Sequence, residues 1–230
     1  MPKDAISQLK SKIKQVQKLD SREVEPLLDH FVSQNKMFLV TNFIGQGYRD
    51  LFQLACIRQY LSEANIGTIA FQLMTQLSYL HSQGIVLKYL APHNIIAKKG
   101  FNDGEEIVVR IVDLAAIQMI DITDSNLPSK ILGHDSIFMA PEVAYNETER
   151  VMAQADTFSL GVILYCLVTG GLNEDNMDKQ PSIDFEEHAW NYMSNEIKDF
   201  IYECIEPNES QRKDVTQLME HEFIKRHMRN

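Results

Sequence analysis

The sequence predicts an α+β fold, with a few strands first and helices after them. Three observations carry this. Two apolar runs, 28–33 and 36–44, are joined by Ser33-Gln34-Asn35-Lys36 in the manner of a hairpin. Ile66, Ile69, Ala70, Leu73, Met74, Leu77 and Leu80 fall on one face of a helix of about five turns. Ser159 through Val168 is apolar nearly all round, which marks a helix buried on every side.

The other elements follow in order. Ile6, Leu9, Ile13, Val16 and Leu19 give helix 5–19 a narrow apolar stripe. Gly45-Gln46-Gly47 breaks the pattern and marks a hinge, dividing the chain into 1–44 and 45–230. Leu51, Leu54, Ala55, Arg58 and Leu61 suggest a short helix, and Ser62 is a candidate N-cap for the next. Ile95-Ile96-Ala97 and 107–112 read as two short strands separated by a turn at 100–104. Met193, Ile197, Phe200, Ile201 and Cys204 form an amphipathic helix, and Asp214 with Gln217 resembles a capping box.

The composition narrows the function classes. The chain has 230 residues, 44% of them hydrophobic and 23% charged, as in an ordinary globular protein. A formal net charge of -10 argues against a nucleic-acid binder. The three cysteines, Cys56, Cys166 and Cys204, share no ligand spacing and read as reduced buried thiols. No apolar run reaches the roughly 18 residues of a membrane span. Segment 5–19 is basic but lacks Arg, and Asp4 precedes it, so it does not read as a transit peptide.

One loop organises the rest. His81 through Ile96 links the long helix to the first short strand, with Gly84 and Pro92 punctuating it. Its frame resembles the protein-kinase catalytic loop, H-R-D-L-x-x-x-N. Leu87, Lys88 and Tyr89 stand at the His, Arg and Asp positions, Ala91 replaces the loop lysine, and Leu90 and Asn94 remain. Four more landmarks sit in kinase order. Asp113-Leu114-Ala115 resembles D-F-G, and Ala140-Pro141-Glu142 is A-P-E. Asp156-Thr157-Phe158-Ser159-Leu160-Gly161 resembles the opening of the central helix of the large lobe, and Arg212 matches the late arginine that pairs with the A-P-E glutamate. Five landmarks in order are a strong signal, and the resemblance covers about residues 10–225, nearest the calcium/calmodulin-dependent branch of the Ser/Thr kinases.

The resemblance implies a kinase-like fold with a mainly helical large lobe, and a small lobe reduced to one helix and two strands. The Gly-rich loop and the strand lysine that hold ATP have no counterpart ahead of helix 5–19, which itself carries no glutamate; Lys12 falls near the expected place. Tyr89 is a poor proton acceptor in place of the Asp base, and losing a base costs about 10²–10⁴-fold in rate. Lost positioning of the nucleotide costs more. The expectation is therefore a pseudokinase: not an enzyme, with no catalytic residue and no cofactor, acting as a scaffold subunit. The alternatives are a degenerate kinase with weak phosphotransfer and a Mg-nucleotide sensor.

Asn94 and Asp113 match the family's Mg²⁺ positions, and are read either as a residual metal site or, preferably, as structural remnants. The resemblance places Thr41 at the gatekeeper position and Phe43 at the hinge; with Ile96 they would line a nucleotide cleft, or, preferably, Thr41 and Phe43 belong simply to a packed strand. Glu142, Arg212 and Asp156 are expected to be structural. Partners are expected to be other protein subunits, bound through residues 5–44, with no nucleic acid and no membrane. The expected location is cytoplasmic, with a cytoskeletal or ciliary assembly as one setting.

Overall fold

The computed structural model describes residues 12–20, 24–33, 36–42, 47–51, 53, 61–98, 107–114, 137–145, 152–170, 184–185 and 188–228. Residues 12–17 are helical, with Ile13 and Val16 buried. Strands β1 (Leu27–Ser33) and β2 (Lys36–Thr41) then pair antiparallel, with Phe31 opposite Phe38 and His30 opposite Leu39. A second sheet has the order β3-β4-β5, from β3 (Tyr48–Asp50), β4 (Ile95–Lys98) and β5 (Val108–Ile111), antiparallel throughout.

Helix α1 (Glu63–Ser82) starts where Ser62 accepts the Asn65 N–H and buries the face from Ile66 to Leu80. Two of its polar residues fasten it to the sheet. Gln72 donates to the Ile107 carbonyl at 2.6 Å and accepts the Val109 N–H at 2.9 Å. One turn later, Gln76 donates to the Val109 carbonyl at 3.0 Å and accepts the Ile111 N–H at 2.9 Å. Primary amides carry both a donor and an acceptor, so two glutamines one turn apart satisfy the backbone groups that β5 leaves unpaired at its rim.

Helix α2 (Pro141–Ala144) is one turn. Helix α3 (Gln154–Thr169) is buried from Ala155 to Val168 and stops at Gly170, whose φ of 78° is the left-handed conformation that ends helices. It lies against α1 and against α4 (Asn195–Cys204), capped by Ser194. Asp214 and Gln217 form a reciprocal capping box at α5 (Val215–Leu218), and α6 (Glu222–His227) closes the chain against α1. The protein is thus α+β, with the core between α1, α3 and α4.

Two expectations change, and two can be followed only in part. Residues 48–50 form a strand, because three residues paired to β4 need no apolar alternation of their own to be held. Of the helix expected around 51–61 only Leu51, Gln53 and Leu61 are among the described residues, and of helix 5–19 residues 12–19 are, helical over 12–17. The strand expected over 36–44 ends at Thr41, before a stretch that is also outside them.

Candidate functional site

The loop after α1 is set by one carboxylate. Gly84, at φ 71°, turns the chain out of the helix, and Ile85 N–H returns to the Leu80 carbonyl. Asp156, in the first turn of α3 and fully buried, then accepts three hydrogen bonds. The Leu87 N–H donates to Oδ2 at 2.9 Å, the Lys88 N–H to Oδ1 at 2.7 Å, and His81 Nε2 to Oδ2 at 2.8 Å. A buried carboxylate is tolerable only when its lone pairs are taken up this way. Lys88 sits at φ 66°, a conformation costly for a residue with a Cβ, and the Asp156 contacts on either side of its peptide hold it there.

The loop side chains divide into two sets. Leu87, Tyr89, Leu90 and Ala91 are buried in the core, and Lys88 is half-buried. The Tyr89 ring meets His93 at 6.2 Å between centroids, tilted by 54°. A 3-10 turn, Pro92–Asn94, follows, closed by the Asn94 N–H on the Ala91 carbonyl at 2.9 Å. The Asn94 carbonyl accepts the Val112 N–H at 2.8 Å, which fixes the turn beside Asp113. Asp113 has φ 57°, again left-handed, and its side chain is exposed.

Asp113, Ile96 and Thr41 line one cleft of about 340 Å³, with Arg49, His93 and Glu25. Phe43 lies outside the described residues. The side chain of Asn94 is buried, and its Oδ1 has no hydrogen-bond partner among the described residues. An unsatisfied amide oxygen on the turn that is tied by its backbone to the strand end before Asp113 is of the type a hard cation takes, because Mg²⁺ prefers oxygen ligands. Asn94 and Asp113 would hold it, and it would neutralise charge on transferring phosphates.

Arg212 supports the other end of the site. It donates to both oxygens of Glu142, at 2.7 and 3.1 Å, and to the carbonyls of Glu206, Gln154 and Pro207. Its guanidinium lies 4.9 Å over the Phe158 ring. Ser159 donates to the Phe138 carbonyl at 2.7 Å, so α3 anchors the segment before Ala140 as well as the loop. Sequence reasoning gave His81, Ser159, His93 and Glu25 no role. His81 could have been found as an aromatic donor one helix turn from the loop, whereas the others depend on contacts between distant segments. Burial pushes the Cys166 and Cys204 thiols far up, so neither offers a nucleophile. Cys56 and the segment ahead of residue 12, where the Gly-rich loop has no expected counterpart, lie outside the described residues. Among the described residues no helix is long and apolar enough to cross a membrane.

Comparison with known proteins bears on this geometry. The family model described as "Protein kinase domain" matches residues 2–224. The chain is 27% identical over 233 residues to "Calcium-dependent protein kinase 5" of Plasmodium falciparum, covering 98% of the chain and 39% of that protein. It is 25% identical over 218 residues to "Calcium/calmodulin-dependent protein kinase cmkA" of Emericella nidulans, covering 91% of the chain and 50% of the relative. "Myosin light chain kinase A" of Dictyostelium discoideum is 27% identical over 231 residues, covering 97% of the chain and 75% of the relative. The chain thus spans half or less of the first two relatives. These matches overturn the expectation that the chain is not an enzyme, since the relatives are named as kinases. That expectation rested on the substitutions at 87–91 and, more heavily, on the lack of a counterpart to the Gly-rich loop and the strand lysine. The contacts holding the loop run through backbone N–H groups, which such substitutions do not remove.

Proposed function

The chain belongs to the protein kinase family, and from that premise we propose that it binds Mg-ATP and transfers phosphate slowly to a Ser/Thr hydroxyl. One observation carries the reading: the buried, unpartnered Asn94 Oδ1 is tied through its backbone to the strand end that carries Asp113 at the cleft. Phosphoryl transfer is mainly positioning and charge neutralisation, with little bond-making for the protein to perform. The hydroxyl oxygen forms the new bond to the γ-phosphorus as the bond to the bridging oxygen breaks, and ADP leaves. With Tyr89 buried at the position of the base, the hydroxyl proton passes to solvent or to a phosphoryl oxygen. That substitution lowers the rate by about 10²–10⁴-fold.

The test uses the purified chain. Its melting temperature is expected to rise with Mg-ATP, more than with ATP and EDTA, and the rise is expected to disappear in Asp113→Ala. Labelled phosphate should pass slowly to a mixed Ser/Thr protein substrate. No Mg-dependent shift and no transfer would overturn the reading.

A protein partner on residues 5–44 belongs to the same proposal. Its support is the outer face of the β1–β2 hairpin, where Phe31 and Phe38 stack at 5.0 Å and stand 51% and 43% exposed. A Phe31→Ser/Phe38→Ser double variant should keep its melting temperature and lose co-purifying protein; unchanged recovery of that protein would count against the surface.

A further inference from the structure

Glu25 stands between two cavities. One is the cleft already described. The other, of about 60 Å³, lies behind it and shares Glu25, Thr41 and Asp113 with the cleft. Its remaining walls are aliphatic: Val16, Leu27, Leu39 and Leu114. Glu25 is half-buried, and its Oε1 is buried with no hydrogen-bond partner among the described residues. A carboxylate oxygen removed from water and left unpaired is costly, and a cation seated against it recovers the loss.

The walls decide which cation. A divalent metal could take the carboxylates of Glu25 and Asp113 but needs several further oxygen ligands or waters, and the four aliphatic side chains supply none. An alkylammonium suits both halves of the cavity. Its stem lies along the aliphatic wall while its head stays with the polar groups. Its three N–H donors would be matched by the Glu25 carboxylate, the Asp113 carboxylate and the Thr41 hydroxyl, on three residues that line the cavity. The volume is several times the roughly 10–15 Å³ that one water needs, and takes only a few heavy atoms.

We propose that this deep cavity is a binding site for a primary alkylammonium group, with Glu25 as its counter-ion. The group comes from a lysine side chain or from a small amine; the chemistry is the same. The inference is independent of phosphotransfer, because it is read from binding alone.

Melting of the purified chain is followed with butylammonium, with Nα-acetyl-lysine amide, and with butanol as the neutral control. A rise of about 2–4 °C with either amine at saturation, absent with butanol, is expected. A shift with both amines leaves either source open, a shift with the lysine amide alone assigns the site to lysine, and a shift with butylammonium alone assigns it to small amines. Glu25→Gln should abolish the amine shift and melt at or above the temperature of the unchanged chain, since it replaces a carboxylate whose Oε1 is buried without a hydrogen-bond partner among the described residues. No amine shift, an equal shift in Glu25→Gln, or a Glu25→Gln variant that melts lower without amine would each overturn the proposal. The last would mean that the carboxylate already holds a cation of the chain itself. Loss of the Mg-ATP response with the amine shift intact would overturn only the kinase reading.

Discussion

At the scale of single residues, Asp156 controls the backbone shape of the loop. Both its oxygens are needed: Oδ1 holds the Lys88 N–H and Oδ2 holds His81 and the Leu87 N–H. Asp156→Asn keeps the size but turns an NH₂ toward one of these donors. The left-handed Lys88 then loses its restraint. The expected cost is about 2–4 kcal/mol, read as a fall in melting temperature of about 5–15 °C. A fall under about 2 °C would show that the loop holds its shape without the carboxylate. What Asp156 does was only half legible beforehand. The motif around it marks the start of the central helix, but its three donors come from residues 68 to 75 positions earlier in the chain. Sequence spacing does not bring such partners together; only the crossing of α1 and α3 does. Tyr89 was legible as an odd residue for a catalytic position, and its burial follows from its size and apolar ring.

At the scale of elements, the last helix is sensitive to protons. His227 of α6 lies over Gly67 of α1, where an added Cβ would fall 2.2 Å from the imidazole Cδ2. The absence of a side chain on α1 is what lets the ring seat. Burial holds the His227 pKa below its ordinary value, with Glu63 pulling the other way. The folded state therefore binds this proton less readily than the unfolded chain does. The contribution is fully present above the unfolded value of about 6.5 and declines as the pH falls below it, until the folded pKa is passed. The melting temperature should drop between pH 7 and 5.5, and His227→Asn should flatten that drop; an identical pH profile in the variant would assign the effect to other groups. The elements themselves were largely readable, because their signals are local. Ser62, Ser194 and the Asp214–Gln217 box cap where short-range chemistry places caps. Strand β3 was not readable, since the strand that pairs with it, β4, lies more than 40 residues away.

At the scale of the whole molecule, Arg212 joins parts that are distant in sequence. It reaches Glu142, the start of α3 and the turn at 206–207, and is itself buried. Removing one partner of a buried pair costs about 3–5 kcal/mol, because the other charge is left behind unpaired. Arg212→Met should lower the urea midpoint accordingly, and Glu142→Leu added to it should restore part of the loss. A double variant no better than the single would show that the arginine acts through its carbonyl contacts instead. The order of landmarks along the chain made this overall architecture legible. The cleft was less so, since its walls are drawn from segments on both sides of the hinge.

The two glutamines of α1 have a kinetic consequence. Val109 and Ile111 sit on the outermost strand of a three-stranded sheet, where amide protons ordinarily exchange with solvent quickly. Here each is donated to a side chain of α1, so neither can be released until the helix itself lifts away. Deuterium uptake at β5 should therefore track uptake along α1 rather than uptake at β3, the opposite rim. The helix and the strand that delivers Asp113 would open and close as one cooperative unit, and early labelling of β5 alone would show that they do not.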